Sequence, residues 1–181
     1  VSLKENGDKT HTDTWKLDQP IAPYLVMLAA GPFAVVTDHW KNIEVSYYVD
    51  KEYEQYARAI FGNTPEMIQH FSDLTGVPYV WPKYSQMIAH EFVSGSMENA
   101  TAVVHGQYVQ MTPREMIDGS QEQNISHELF HHWFGDLVTC ESWANLTLNE
   151  SFADYGEYLW NEYKYGRDKA DYDFNNSMNR Y

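Results

Sequence analysis

Residues 127–131 read His-Glu-Leu-Phe-His, the pattern HExxH, inside a segment over residues 122–138 whose apolar spacing predicts a helix. In a helix, His127 and His131 lie within about 40° of one face and about 6 Å apart along the axis. Two imidazoles at that spacing can hold one zinc ion, and Glu128 would then face the metal-bound water. The alternative is an ordinary helix, with both histidines satisfied in a core and Glu128 solvated.

A second predicted helix, over residues 149–165, begins with a glutamate that can complete such a site. If this helix returns antiparallel beside the first, the Glu150 carboxylate reaches the two histidines. Two histidines and one glutamate form the ligand set of hydrolytic zinc peptidases. Asp154 and Glu157 lie one and two turns further on. Each could orient a ligand imidazole through a hydrogen bond, or could equally belong to a solvated face.

Acidic residues dominate the charge of the chain. Its 181 residues contain 12 Lys and Arg against 26 Asp and Glu, which gives a formal net charge of −14. This balance argues against a nucleic-acid partner, which needs a basic surface, and against adsorption to anionic membranes. With 43% hydrophobic residues the chain can build a core, which excludes a disordered chain. The longest apolar stretch, residues 21–36, is too short for a membrane segment and is interrupted by Pro23.

Two residues of metal-binding type are given other roles. His132 follows a candidate ligand but points about 100° away from it, so we interpret it as a non-ligand. Cys140, the single cysteine, forms no internal disulfide and is interpreted as a buried thiol at a helix end. One cysteine is compatible with the cytoplasm and does not exclude export, so the compartment stays open.

The order of predicted elements indicates an α+β fold in two parts. Residues 1–42 are interpreted as the C-terminal strands of a preceding β-rich domain, and residues 43–181 as the N-terminal portion of a second domain. Pro65 and Gly76 mark the two ends of a predicted helix. The predicted strands cover residues 24–30, 33–37, 42–49 and 85–93, a β-rich stretch covers 100–111, and further helices cover 53–61 and 63–76.

Four motifs resemble the aminopeptidase N-like zinc metallopeptidases, a gluzincin family. Residues 95–99 (GSMEN) resemble its GxMEN exopeptidase signature, and residues 127–139 (HELFHHWFGDLVT) look like its zinc helix. Residues 143–150 (WANLTLNE) look like its third-ligand segment, and residues 79–84 (YVWPKY) are similar to the segment before its substrate-binding strand. Together the match covers roughly residues 43–165, with the motifs in the family's order.

The resemblance implies a truncated, thermolysin-like α+β catalytic domain that binds one Zn²⁺ ion. It implies that the zinc ligands are His127, His131 and Glu150, and that Glu128 is the general base. Glu98 becomes the carboxylate that receives the free α-amine of the substrate. The implied substrate-binding segment consists of Gly95, Ser96, Met97, Glu98 and Asn99. Glu157 matches an acidic position of the family, whereas Asp154 rests on helical spacing alone.

The chain departs from the family pattern at two serines. Ser96 stands where alanine or glycine is usual, and its small side chain is expected to change little. Ser151 follows the third candidate ligand where glycine is usual, and its added side chain could tilt that ligand. The family's oxyanion-stabilising tyrosine matches no position in this chain. We therefore expect an incomplete catalytic fragment that is weakly active or inactive alone.

The expected function is a zinc-dependent aminopeptidase, in which Glu128 assists the attack of zinc-bound water on an N-terminal peptide bond. Its partners would be peptides with a free N-terminus and the remaining domains of the parent protein. Two alternatives stay open. One is the branch of the family that also hydrolyses an epoxide lipid, and the other is a non-catalytic scaffold or binding module that keeps the fold.

Overall fold

A five-stranded mixed sheet forms the frame of the molecule. The computed structural model describes residues 2–178, so Val1 and residues 179–181, at the outer ends of the two predicted domains, lie outside the described residues. An exposed antiparallel pair comes first, β1 (Ser2–Glu5) and β2 (His11–Thr14). The sheet strands are β3 (Ala34–Trp40), β4 (Ile43–Val49), β5 (Lys83–Ala89), β6 (Ser96–Met97) and β7 (Ala102–Gly106). Their order is β3-β4-β5-β7-β6, which puts β6 at an edge.

Parallel pairing is confined to the middle of the sheet. β4 pairs with β5 and β5 with β7 in parallel, whereas β3 and β6 run antiparallel to their neighbours β4 and β7. β3 and β4 form a hairpin with Lys41 in its turn at a φ of 54°. The predicted division between residues 42 and 43 falls in this turn. The sheet therefore contains strands from both predicted parts of the chain.

The strand predicted over residues 24–30 is wrong. Residues Pro23–Leu25 form a short 3₁₀ helix, and residues 26–33 take no regular secondary structure. Proline lacks the N–H that a strand ladder needs and favours the start of a helical turn. Leu25 is 1% exposed, whereas Leu28 is 87% exposed. Residues 24–30 are thus attached to the core chiefly through the buried side chain of Leu25, and they do not pair as a strand of the sheet.

The helices follow two of the strands, and the mixed α/β character predicted from the sequence is confirmed. α1 (Ala57–Phe61) and α2 (Thr64–Thr75) come after β4, and α3 (Glu122–Phe130), α4 (Thr147–Tyr165) and α5 (Arg167–Met178) come after β7. Gly76 ends α2 as predicted, with a φ of 69° that glycine adopts without steric cost. No pattern in the sequence predicts α5, in which only Ala170 is buried. Within residues 2–178, none of these helices has the length and apolar character that a membrane crossing requires.

The helix predicted over residues 122–138 ends earlier, at Phe130. His131 is its C-cap, and the chain then turns so that the N–H of Asp136 donates to the carbonyl of His131 at 2.9 Å. Gly135 allows this turn, because its φ is 139° and a side chain there would lie 2.9 Å from Nδ1 of His131. The second histidine of HExxH therefore sits at the very end of the helix.

The hydrophobic core joins the sheet to α1, α2 and α3. Tyr47 of β4 stacks on Phe61 of α1 with ring centroids 5.3 Å apart, and Phe71 of α2 contacts Phe130 of α3 at 4.7 Å. All four rings are buried. Because α3 turns Phe130 into this core, the position of α3 relative to the sheet is determined by aromatic packing.

Candidate metal centre and substrate site

Helices α3 and α4 meet at a glycine. A side chain at Gly156 of α4 would lie 2.6 Å from Cγ of Phe130, so the helices reach this spacing only because position 156 lacks one. The contact brings the beginning of α4 alongside the end of α3. Glu150, in the first turn of α4, consequently faces the two histidines of HExxH.

Three side chains converge beside this contact. Nε2 of His127 and Nε2 of His131 are 3.1 Å apart, and Oε2 of Glu150 lies 3.5 Å from the first and 3.6 Å from the second. In a tetrahedral zinc site with ligand distances of about 2.0–2.1 Å, neighbouring ligand atoms are about 3.3 Å apart. The triangle therefore has the size of one face of a zinc tetrahedron. Its two nitrogens and one carboxylate oxygen are donors that suit this metal.

The outer nitrogens of both imidazoles have partners. Nδ1 of His127 lies 2.9 Å from Oε1 of Glu157 and 3.2 Å from Oδ1 of Asp154. Nδ1 of His131 lies 3.0 Å from the carbonyl oxygen of Phe134. These oxygens only accept, so each neutral imidazole keeps its proton on Nδ1 and turns the lone pair of Nε2 into the triangle. The two acids predicted from helical spacing and resemblance both contact a candidate ligand.

The carboxylates around the triangle favour positive charge within it. Burial lowers the pKa of His127, but hydrogen bonds with Asp154, Glu150 and Glu157 outweigh burial and hold this pKa well above its usual value. The pKa of His131 is also raised. Burial lowers it, but the hydrogen bond to Glu150 outweighs burial. The hydrogen bonds from both histidines in turn hold the pKa of Glu150 far below its usual range. A divalent cation can supply this positive charge, so metal and protons compete for the same groups.

Glu128 is buried beside the triangle with one oxygen unsatisfied. Its side chain is 6% exposed, and within residues 2–178 no group donates a hydrogen bond to Oε2. Burial raises the pKa of Glu128 to about 7. The positive charges of His127 and His131 oppose this rise, and the carboxylates of Glu98 and Glu150 add to it. A carboxyl group that titrates near neutral pH can both accept and deliver a proton.

The predicted substrate-binding segment passes the same place. Residues 96–97 form the edge strand β6, and the buried Glu98 follows directly. One oxygen of Glu98, one oxygen of Glu128 and one ring nitrogen of His131 lie within 4.8 Å of one another. Gly95 precedes the strand with a φ of 81°, so the chain enters β6 through a turn that only glycine adopts readily. The structure thus brings Glu98 to the candidate metal centre.

A segment near the N-terminus, which no sequence pattern identifies as part of the site, contacts both halves of it. The carbonyl of Leu25 accepts from the N–H of Ala100 at 3.3 Å and from Nδ2 of Asn99 at 3.4 Å. The hydroxyl of Tyr24 accepts from Nδ2 of Asn149 at 3.1 Å, directly before the third candidate ligand. No sequence signal links groups so far apart, and an asparagine at a helix start resembles an ordinary cap.

The serine in the GSMEN segment has hydrogen bonds that alanine would lack. Oγ of Ser96 lies 2.9 Å from Nδ1 of His105 and 3.3 Å from the hydroxyl of Tyr108. Nε2 of His105 lies 3.0 Å from Oε1 of Gln86, so the ring donates to Gln86 and accepts from Ser96. Burial lowers the pKa of His105 to about 3, which keeps the ring neutral. Ser96 therefore ties the edge strand to the sheet, whereas the second departure, Ser151, has an exposed side chain.

Two buried polar residues follow the second histidine. His132 points away from the triangle, and its Nε2 accepts from the N–H of Thr101 at 3.1 Å. Asp136 places Oδ2 3.6 Å from the same nitrogen, and neither of its oxygens has a hydrogen-bond partner within residues 2–178. Burial, with smaller contributions from the charges of Glu98 and Glu128, raises the pKa of Asp136 to about 9. Asp136 is therefore uncharged near neutral pH.

The chain is similar to known peptidases. Residues 60–180 match the family model of the peptidase family M1 domain. The chain is 37% identical over 147 residues to aminopeptidase N of Streptomyces lividans, a match that covers 76% of this chain and 17% of that protein. It is 32% identical over 151 residues to glutamyl aminopeptidase of Bos taurus (81% and 16%). It is 33% identical over 163 residues to Tricorn protease-interacting factor F2 of Thermoplasma acidophilum (87% and 20%). The chain therefore spans about one sixth to one fifth of the length of these relatives.

Proposed function

Because the chain belongs to peptidase family M1, we propose that it is part of a zinc-dependent aminopeptidase that hydrolyses N-terminal peptide bonds. The observation that carries this proposal is the triangle of His127, His131 and Glu150, whose sides of 3.1, 3.5 and 3.6 Å suit one zinc ion. The names of two relatives, aminopeptidase N and glutamyl aminopeptidase, support the same activity.

The residues around the triangle are proposed to hold one Zn²⁺ ion in a defined orientation. A bound zinc ion polarises a peptide carbonyl and makes hydroxide available near neutral pH. The bonds from Nδ1 of His127 to Glu157 and Asp154 hold one ligand ring, and the bond from Nδ1 of His131 to a backbone carbonyl holds the other. Such partners fix the tautomer of a ligand histidine and raise its basicity.

Glu128 is proposed to move the proton. Its carboxylate takes a proton from the attacking water while the water oxygen bonds to the carbonyl carbon. The same proton passes to the nitrogen of the leaving amine as the C–N bond breaks. The burial of Glu128, the unsatisfied Oε2 and the pKa of about 7 support this role.

Glu98 is proposed to receive the α-ammonium group of the substrate. A charge-assisted bond between a buried carboxylate and an ammonium is strong and selective. The open edge of β6 offers backbone groups with which an extended peptide can pair as an added strand. Because the amine would be held next to the attacked bond, hydrolysis would release one residue at a time.

The fold is proposed to be thermolysin-like. A mixed sheet, a helix that carries HExxH and a following helix that returns the third ligand support this assignment. We propose residues 43–181 as the N-terminal portion of the catalytic domain and residues 1–42 as the end of a β-rich domain. In this division, β3 extends the catalytic sheet through its hairpin with β4. The remaining domains of the parent protein would be its intramolecular partners.

Zinc analysis of the purified protein tests the metal centre. We expect about one zinc per chain, loss of zinc in Glu150→Gln, and retained zinc in Glu128→Gln with kcat lowered roughly 10²- to 10⁴-fold. Glu54→Gln changes an exposed acid and should leave both properties unchanged. Absence of stoichiometric zinc, or full zinc content in Glu150→Gln, would contradict the metallopeptidase proposal. Because the chain alone is expected to be weakly active or inactive, hydrolysis is measured on the full-length parent protein, and stoichiometric zinc without any hydrolysis by that protein would support the non-catalytic scaffold instead.

Substrates with a modified N-terminus test the aminopeptidase assignment. The full-length parent protein should cleave a peptide with a free α-amine and should not cleave the same peptide with an acetylated N-terminus. Glu98→Gln should raise KM for the free peptide, because the charge-assisted bond is lost. Equal cleavage of the two peptides would indicate an endopeptidase and would remove the role given to Glu98.

A further inference from the structure

Two backbone groups from different parts of the site meet on the ring of His132. The N–H of Thr101 lies 3.1 Å from Nε2, and the carbonyl oxygen of Glu128 lies 3.2 Å from Nδ1. An amide N–H can only donate and a carbonyl can only accept, so the ring is neutral with its proton on Nδ1. His132 therefore bridges helix α3 to the chain just beyond the GSMEN segment.

Thr101 has a conformation that needs such support. Its φ is 67°, in the left-handed region that β-branched residues rarely enter. The carbonyl of Thr101 accepts from the N–H of Ser85 at 2.9 Å, which ties this side of the residue to β5. The N–H on the other side is bound by His132. A strained backbone conformation persists where surrounding contacts hold it in place, and at Thr101 the two hydrogen bonds do so.

The ring of His132 is held in place by its neighbours. It packs against Tyr84 with centroids 4.9 Å apart and stacks on Tyr79 at 5.7 Å. Nε1 of Trp81 donates to the backbone carbonyl of His132 at 3.0 Å. The side chain is buried, with 1% of its surface exposed. The position of the bridge is thus set by the core and does not depend on a bound ligand.

We propose that His132 is a positioning residue that holds Thr101 in its left-handed conformation and thereby directs the Glu98 carboxylate, three residues earlier, at the metal centre. The inference rests on the proposed function, in which Glu98 receives the α-amine of the substrate. It assigns His132 no contact with metal or substrate. Its effect passes through the backbone of residues 99–101, which joins the edge strand to β7.

Substitutions at position 132 test the bridge directly. Glutamine carries both an acceptor oxygen and a donor N–H, so His132→Gln can keep both bonds, whereas His132→Leu can keep neither. In His132→Leu we expect hydrogen exchange at the amide of Thr101 to accelerate by about tenfold or more, because this amide loses its buried hydrogen bond. In the full-length parent protein, the same substitution should raise KM for an aminoacyl reporter about tenfold, with zinc content unchanged and kcat altered less than about threefold. His132→Gln should restore wild-type exchange and KM.

Substitution of Thr101 supplies a second, independent test. Glycine adopts a φ of 67° without the Cβ penalty, so in a Thr101→Gly background His132→Leu should raise KM less than it does alone. His132→Asn provides a further variant should His132→Leu fail to fold. Its amide has the same groups on a shorter stem, so it should lose one bond and raise KM.

The readouts separate this inference from the proposed function. Wild-type exchange at Thr101 in His132→Leu would overturn the bridge. Faster exchange with an unchanged KM, or a loss of zinc in place of the KM effect, would overturn its positioning role. A full-length parent protein that binds zinc but hydrolyses no peptide would refute the proposed function. In that case the exchange comparison would still decide whether the bridge exists.

Discussion

Substitution of Gly156 by alanine should loosen the candidate metal centre from a distance. The added Cβ would lie 2.6 to 2.8 Å from Cγ, Cβ and Cδ1 of Phe130, all atoms near the backbone of α3. Carbon atoms in contact normally lie about 3.5–4.0 Å apart, so α3 and α4 must separate by about 1 Å. Oε2 of Glu150 would then move from 3.5 and 3.6 Å to roughly 4.5 Å from the two ligand nitrogens.

The expected result is a loss of zinc affinity that is seen in addition to any loss of stability of the zinc-free protein. Ligand atoms of one zinc ion are about 3.3 Å apart, so the widened triangle must be pulled together on binding. We expect Gly156→Ala to weaken zinc binding about 10- to 100-fold, the effect typical of disturbed support around a metal ligand. For the zinc-free protein, overpacking costs about 1–3 kcal/mol and alanine returns about 0.5–1 kcal/mol of helix propensity. A net loss of about 0–2.5 kcal/mol in the free energy of unfolding follows.

Chelator competition measures the zinc affinity, and denaturant unfolding of the zinc-free protein measures the stability. Ser151→Ala is the matched control, because it changes an exposed residue of the same helix. The control should keep wild-type zinc affinity. If Gly156→Ala also binds zinc with wild-type affinity, the contact with Phe130 does not determine the position of Glu150, and the reasoning is refuted.

Three further predictions concern single side chains. Folding raises the pKa of Asp136 from 3.8 to about 9, so the folded state loses stability relative to the unfolded state as pH rises between these values. Asp136→Asn should therefore stabilise the zinc-free protein by as much as about 4 kcal/mol at pH 7, but little at pH 4.5. Denaturant titrations at the two pH values measure this difference. An equal gain in the free energy of unfolding at both pH values would contradict this account. Glu157→Gln should weaken zinc binding about tenfold, and Asp154→Asn should weaken it less. Glu157 is closer to Nδ1 of His127 than Asp154 is (2.9 against 3.2 Å), and its side chain is less exposed (22 against 59%). A larger effect of Asp154→Asn in chelator competition would contradict this order. Gly76→Ala should lower the free energy of unfolding by about 1 kcal/mol with zinc affinity unchanged, because the φ of 69° at this position is unfavourable for alanine and, among residues 2–178, no other atom lies within 4 Å of the added Cβ. An unchanged free energy of unfolding would show that the turn relaxes.

Local patterns predicted the parts of the fold that depend on neighbours in sequence. Pro65 and Gly76 marked the ends of α2 because proline and glycine act through their own backbone angles. The spacing of His127 and His131 predicted that their side chains meet, since helix geometry alone brings such positions together. The early end of α3 was missed, because the turn depends on Gly135 lying against a ring four residues earlier.

Long-range contacts could not be read from the chain in the same way. The strand predicted over residues 24–30 was wrong because no pattern showed that the carbonyl of Leu25 would accept from the side-chain amide of Asn99 and from the backbone N–H of Ala100. The left-handed Thr101 carries no sequence signal, since threonine is a poor choice for that conformation. At Thr101 the hydrogen bond comes from His132, a group 31 residues away in sequence, which no local pattern reveals.

The sequence by itself determined the candidate donor set and the family, because HExxH, the later glutamate and the GSMEN segment are ordered along the chain. Only the tertiary structure decided how these groups meet. The α3–α4 distance is set by the missing side chain of Gly156, and Glu98 reaches Glu128 because the edge strand ends beside α3. Packing in three dimensions determines such distances, since each depends on side chains that are far apart in sequence and close only in the folded core.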